Sequence, residues 1–279
     1  MKISIITITL NSDTTIRDTL NSVMSQTYKN IEHIIVDGGS TDSTLPIIKR
    51  YPNKNKKVIV KNKSKIYEAM NVGIKAATGE YIAILNSDDI YQSNKVIEEV
   101  VRFIKKNKSC SVFLGNLIYF KGNDYYKIIR YYTATGFKKW MIRFGLMPPH
   151  PASFIKKELY EKFGLYNENF KIASDFDFFL RLLYLGKVRF KIINKTIVRM
   201  RAGGVSGKDF NSYITTNREI KKSFKINKLN FSVIQMLARI PSKLTQLIFY
   251  NQELLNKNFK LDKLLFDKKK LFINNFNII

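Results

Sequence analysis

Apolar positions in the first hundred residues come as short runs rich in β-branched side chains, separated by stretches with helical spacing. Residues 3–9, ISIITIT, are β-branched and continuous, the pattern of a strand buried on both faces, and residues 31–36, 57–60 and 81–85 read as further strands. Between them, residues 15–26 place Ile16, Leu20 and Val23 on one helical face, and residues 67–77 form a second helix closed by Gly79. Strands alternating with helices in this way predict a parallel α/β sheet with right-handed crossovers.

Past a helix over residues 94–107 the pattern changes. Residues 111–120 and 125–132 read as paired strands joined by the turn Lys121-Gly122-Asn123-Asp124, a hairpin signal. A basic, aromatic stretch with Lys138, Lys139, Trp140 and Arg143 then suits either an amphipathic helix near an acceptor or membrane, or a solvated helix over the sheet. Residues 156–163 predict a short helix stopped by Gly164, and residues 188–201 return to strand-like alternation. From Val233 to Ile248 apolar residues recur at helical spacing, interrupted by Pro241.

Charge divides the chain unevenly. The formal net charge is +26, yet residues 1–101 hold 13 Lys/Arg against 11 Asp/Glu, a net +2. The remaining residues therefore carry +24, and residues 216–279 hold 13 basic and 4 acidic side chains. A cationic surface of this kind points to an anionic partner: phosphates, a membrane surface or nucleic acid. Basic amphipathic segments can lie on anionic membranes, or else pack on the core or on a second subunit. The single cysteine, Cys110, excludes an intramolecular disulfide and fits a reducing, cytoplasmic setting. No run approaches the roughly 20 apolar residues that span a bilayer, and the first residues read as a strand, not a secretory leader.

The chemistry collects at strand ends. Asn11, Asp37 and the pair Asp88/Asp89 each follow a predicted strand, and open parallel sheets bind ligands outside the carboxyl ends of their strands. Gly38 and Gly39 allow close backbone approach, while Ser40 to Asp42 can cap an anion-favouring helix. Adjacent carboxylates at such a rim suit a hard divalent cation shared with substrate phosphates; alternatively Ser87, Asp88 and Asp89 only start a helix. Pro148, Pro149 and Pro151 hold His150 in a stiff segment. Asp175 and Asp177 open a very apolar helix, where a carboxylate is either a favourable N-terminal charge or a base with its pKa moved toward working pH. Arg201 precedes a Gly-rich loop containing Ser206, a weak signal for a phosphate-covering loop.

Taken together and in order, residues 5–11, 32–44, 66–73, 79–89 and 150–181 resemble the family 2 glycosyltransferases of bacteria, over roughly residues 1–205. The resemblance implies a GT-A, Rossmann-like fold: a mostly parallel central sheet flanked by helices, here followed by a basic helical C-terminal appendage. It implies an inverting transfer from a nucleotide-sugar, a UDP-sugar by family default, to a lipid-linked or growing surface glycan. A divalent cation, Mn²⁺ or Mg²⁺, is the implied cofactor. Thr9, Asn11, Asp37, Asn71 and Asp88 are implied on the nucleotide side, Asp89 as the direct metal ligand, and Arg201 and Ser206 in a loop over the diphosphate. Asp175 matches the catalytic base. His150 is implied at metal, diphosphate or acceptor, with Trp140 and Asp177 on the acceptor side. The chain departs from the family at residues 61–65, Lys-Asn-Lys-Ser-Lys, where an acidic residue and a glycine are usual.

On this reading residues 1–107 form the nucleotide-sugar half and 108–215 the acceptor half of one domain, with 216–279 an extension at the inner membrane face. Three other readings are distinguishable. A nucleotidyltransferase would need a basic, glycine-rich triphosphate loop after the first strand, and residues 10–15 lack both glycine and lysine. A nucleic-acid binder is disfavoured because the charge avoids the site-forming third, so nucleic acid is not an expected partner. A relative that has lost catalysis but still binds glycan or membrane is the third.

Overall fold

The computed structural model describes residues 1–203, 210–232 and 235. Among them, nine strands form one mixed sheet, β1 (Ile3–Thr9), β2 (Ile31–Asp37), β3 (Lys56–Val60), β4 (Tyr81–Ile84), β5 (Ile90–Tyr91), β6 (Val112–Lys121), β7 (Asp124–Tyr132), β8 (Ser153–Lys156) and β9 (Phe190–Arg201). The order is β3-β2-β1-β4-β8-β6-β9-β5, with β7 paired to β6. The first four strands are parallel, as the alternation of strands with helices predicts. Their register pairs Ile3 with both Ile31 and Tyr81 and brings Thr9 opposite Asp37.

Two strands were not legible. β8 inserts antiparallel between β4 and β6, and β5 pairs antiparallel with β9. They are four and two residues long, too short for any periodicity to register, and they make the C-terminal half mixed instead of parallel. The helix expected over residues 156–163 consequently starts later, as α5 (Glu158–Phe163).

The remaining helices are α1 (Ile16–Met24), α2 (Thr44–Arg50), α3 (Ile66–Ala76), α4 (Val96–Lys106), α6 (Ser174–Phe179, continued by a π turn to Leu185) and α7 (Phe210–Ile226). Alternation along β1 splits the core. Ile6 packs under α3 with Met70 and Ile74 and reaches the α6–α7 aromatics. Ile3 and Ile5 face the α4 layer, with Val96, Val100 and Ile104. Gly73 sets the distance of α3 from β1, since a Cβ there would come within 2.4 Å of Ile6 Cγ2.

Helix α7 crosses the expected boundary at residue 215 and packs on α6. Phe224 lies 5.7 Å from Phe176 between ring centroids and stacks on Phe231 at 4.4 Å. No helix among the described residues is long and apolar enough to cross a membrane. The segment 233–279 lies outside the described residues, apart from Gln235.

Candidate active site

One cavity of about 730 Å³ opens at the carboxyl ends of the parallel strands. Thr9 and Gly38 reach it from β1 and the β2 turn, Asn86, Ser87 and Asp88 from the end of β4, and Tyr67 from α3. Asp175 and Phe176 enter from α6, His150 from the proline-bounded turn, and Tyr119, Arg130 and Tyr132 from the β6–β7 hairpin. Asp88 and Asp175 therefore face one space, although they lie far apart in the chain.

Asp175 sits in the first turn of α6 with its Oδ1 accepting the Phe176 N–H at 2.8 Å and facing the Tyr67 hydroxyl at 3.5 Å. Desolvation by the surrounding apolar side chains pushes its carboxyl up to about 6, against the pull of those hydrogen bonds. Asp88 is half-buried; burial raises its pKa, with Arg201 pulling the other way. Asp89 is wholly buried and is pushed well above the carboxylate range by desolvation and then by Asp88. Its Oδ2 accepts from Asn86 Nδ2 at 2.9 Å and its Oδ1 from the Arg201 N–H at 3.1 Å. Asp89 thus ties the end of β4 to β9, while Asp88 looks into the cavity.

His150 lines the cavity with Nε2 at 2.6 Å from the Tyr166 hydroxyl. Burial lowers its pKa to about 4, so the ring is neutral near pH 7.

Several expected site residues are hydrogen-bonded within the fold. Asp37 is wholly buried and accepts the Gly39 and Ser40 N–H groups and the Ser40 hydroxyl, at 2.9, 2.8 and 2.6 Å. It shapes the loop that brings Gly38 to the cavity. Asn11, at a left-handed φ of 49°, accepts the Thr41 N–H at 2.9 Å and joins two rim loops. Asn71 clamps residue 166 from both sides, donating to Tyr166 O and accepting its N–H. The Arg201 guanidinium turns to the hairpin, with Nη1 on Gly122 O and on Asn123 Oδ1 at 2.9 Å, and Nη2 3.6 Å from Asp18.

Asp177 faces α7, not the cavity. Its oxygens take Arg181 Nε at 2.9 Å, the Ser223 hydroxyl at 2.7 Å and Asn227 Nδ2 at 3.0 Å. Trp140 is 54% exposed on a 3-10 turn, edge-on to Phe144; its neighbours Gly145 to Met147 line the cavity instead. Ser206 lies outside the described residues.

Sequence reasoning missed Lys65, Tyr119, Arg130, Lys171, Tyr213 and Thr216, all on the cavity wall. Arg130 stands over the rings of Tyr119 and Tyr132 at 5.0 and 5.5 Å, a cation–π bracket. A lone arginine among the tyrosines of a predicted strand was the available signal.

As metal donors the described residues offer the Asp88/Asp89 pair and no cluster of three or more ligating side chains. That set fits a hard cation completed by substrate oxygens, since Mg²⁺ is commonly held by one or two carboxylates plus phosphates. Two adjacent carboxyls, both raised by burial and one by the other's charge, are relieved by a cation. Asp89 keeps lone-pair capacity beyond its two hydrogen bonds. With Nε2 on Tyr166, His150 presents only its other nitrogen to any ligand.

A mixed sheet with a carboxylate-bearing crevice at its parallel end is the GT-A architecture. The chain belongs to the family described as Glycosyl transferase family 2, which it matches over residues 4–164. It is 31% identical over 225 residues to the Escherichia coli UDP-Glc:alpha-D-GlcNAc-diphosphoundecaprenol beta-1,3-glucosyltransferase WfaP, covering 78% of this chain and 85% of that one. A PGL/p-HBAD biosynthesis glycosyltransferase of Mycobacterium bovis is 30% identical over 181 residues, 64% of this chain and 68% of the relative.

Among solved structures, S. aureus TarS 1-349 in complex with UDP-GlcNAc superposes with a TM-score of 0.62 at 24% identity, covering 80% of this chain and 66% of that one. Against the longer TarS chain the coverage is 40%. The mannosyltransferase PcManGT of Pyrobaculum calidifontis, in complex with GDP-Man and Mn²⁺, gives 0.61 at 17% identity, covering 84% and 66%. These likenesses establish the fold.

Proposed function

We propose that the protein transfers a sugar, with inversion, from a nucleoside-diphosphate donor to a hydroxyl of a lipid-linked or growing glycan. The observation that carries this reading is the shared cavity: Asp88 at the sheet end and Asp175 at the start of α6 face one space of about 730 Å³, a volume within the ordinary range of small-molecule sites. The donor's nucleotide lies over Thr9, Gly38 and Ser64. Its diphosphate lies beside Asp88, in reach of the cationic wall made by Lys65, Arg130 and Lys171. A uridine nucleotide and a diphospholipid acceptor are supported by the name of the WfaP relative.

The reaction needs two services. Charge that builds on the departing diphosphate must be stabilised, and the acceptor hydroxyl must lose its proton. Asp88 and Asp89 would hold a divalent cation, which would supply the first as a Lewis acid. Asp175 supplies the second: a carboxyl held near pH 6 is largely ionised at pH 7 yet still basic enough to take a proton. As the acceptor oxygen attacks the anomeric carbon from the side opposite the leaving group, its proton passes to Asp175 and the configuration inverts. Neutral His150, fixed by Tyr166, orients groups on the acceptor side, and the bracketed Arg130 binds phosphate. Exposed Trp140, with Lys138, Lys139 and Arg143 beside it, suits an anionic membrane surface at the cytoplasmic face.

The test is a screen of nucleotide-sugars for thermal stabilisation with and without Mn²⁺, on wild type, Asp88→Ala and Asp175→Asn. Asp88→Ala loses the metal-dependent stabilisation, whereas Asp175→Asn keeps it and loses transfer. Equal transfer by all three proteins overturns the reading.

A further inference from the structure

The loop that delivers Asp175, residues 171–173, is not held by its own helix. Three consecutive backbone N–H groups, of Lys171, Ile172 and Ala173, point at one carboxylate, that of Glu219 on α7, at 2.6, 2.9 and 2.9 Å. Glu219 is 9% exposed and is the one acid among Arg218, Lys221, Lys222, Lys225 and Lys228. A charged acceptor that satisfies three adjacent donors makes strong, directional bonds. Those donors precede α6 and have no partner within it. The same loop meets α3, where the Tyr67 hydroxyl donates to Ile172 O while facing Asp175. Helix α7 also puts Tyr213, Thr216 and Ile220 on the cavity wall.

We propose that Glu219 is a positioning residue for the transfer reaction: by gripping the backbone of residues 171–173 it fixes where the Asp175 carboxylate stands. The inference rests on Asp175 being the base. Tyr67 from α3 faces the Asp175 carboxyl, and Tyr119 from β6, Tyr166 and Glu219 are near enough to act on it electrostatically. Of these Glu219 is the carboxylate, and its negative charge adds to the upward pressure that burial puts on Asp175. Removing that charge therefore eases ionisation of the base.

Glu219→Gln and Glu219→Ala test it, with Ser223→Ala as the comparison, because Ser223 ties α7 to α6 through Asp177 without touching the loop. We expect Glu219→Ala to lower kcat on the order of 100-fold, as misplacement of a reacting group by an ångström does, with donor Kd within about twofold. Glu219→Gln, which keeps an acceptor oxygen but no charge, falls less and shifts the lower midpoint of the kcat–pH profile to lower pH. Ser223→Ala loses thermal stability but keeps kcat. An unchanged kcat and profile in Glu219→Gln overturns the proposal, as does an equal kcat loss in Ser223→Ala; both results stand even where Glu219→Ala does not fold. Full activity of Asp175→Asn would instead defeat the base assignment itself.

Discussion

Replacing Asp175 by Asn should make the protein both inactive and more stable, and the size of the second effect follows from the cavity. The carboxyl is raised from 3.8 to about 6 by desolvation, a difference of about 2 units, or about 3 kcal/mol at 1.36 kcal/mol per unit. That is an upper figure, because the group is partly open to the cavity. A folded-state pKa above the unfolded one means stability is full below about pH 4, declines as pH rises through about 6, and stays reduced above it. Asparagine keeps an oxygen for the Phe176 N–H and carries no charge. The variant should therefore gain up to about 3 kcal/mol at pH 8 and nothing at pH 3.5. At about 2 °C per kcal/mol for a chain of this size, Tm rises by about 6 °C at pH 8. Differential scanning calorimetry across pH 3.5–8 reads this directly, and transfer assays read a loss of about 10²–10⁴ in kcat for a missing general base. An unchanged or lower Tm at pH 8 would refute the claim that the protein holds a desolvated carboxylate there.

Further outcomes follow from the same contacts. Wild-type kcat should rise with pH through a midpoint near 6 as Asp175 ionises, read in a pH–rate profile with saturating donor. Asp88→Ala should abolish the Mn²⁺-dependent part of UDP binding in calorimetry while leaving the fold intact, because Asp88 is the cavity-facing member of the cation-holding pair and Asp89 keeps its bond to the Arg201 N–H. Phe224→Ala removes a wholly buried ring between Phe176 and Phe231 and should cost about 3–5 kcal/mol in urea unfolding. Gly73→Ala forces a methyl toward Ile6 and should cost about 1–3 kcal/mol; a neutral result would mean that α3 can retreat from β1.

The parallel half of the sheet was readable because strands buried on both faces are mainly apolar, as β1 and β4 are, and because helices alternate with them. The hairpin was readable from its turn. β5 and β8 were not, because strands so short are defined by their partners and not by their own pattern. At the site, the strand ends Thr9 and Asp88 and the distant Asp175 were legible as candidate chemistry, and they line one cavity. A sequence does not say whether a carboxylate faces a ligand or its own backbone. Asp37 and Asp177 have the same side chain as Asp88, but hydrogen bonds to the nearby Ser40 and to the distant Ser223 engage them within the fold, while Asp89 takes the Arg201 N–H on one oxygen. Glu219 carried a faint signal, an acid stranded in a basic run, whose meaning needed the fold.

The most direct measurement is a structure of the protein with a UDP-sugar and Mn²⁺ bound. The metal should lie against Asp88 and Asp89 with the diphosphate beside it, the uracil over Gly38, and the anomeric carbon between the diphosphate and Asp175 with room for an acceptor oxygen beside that carboxylate. A nucleotide seated elsewhere, or with its sugar turned away from Asp175, would contradict it.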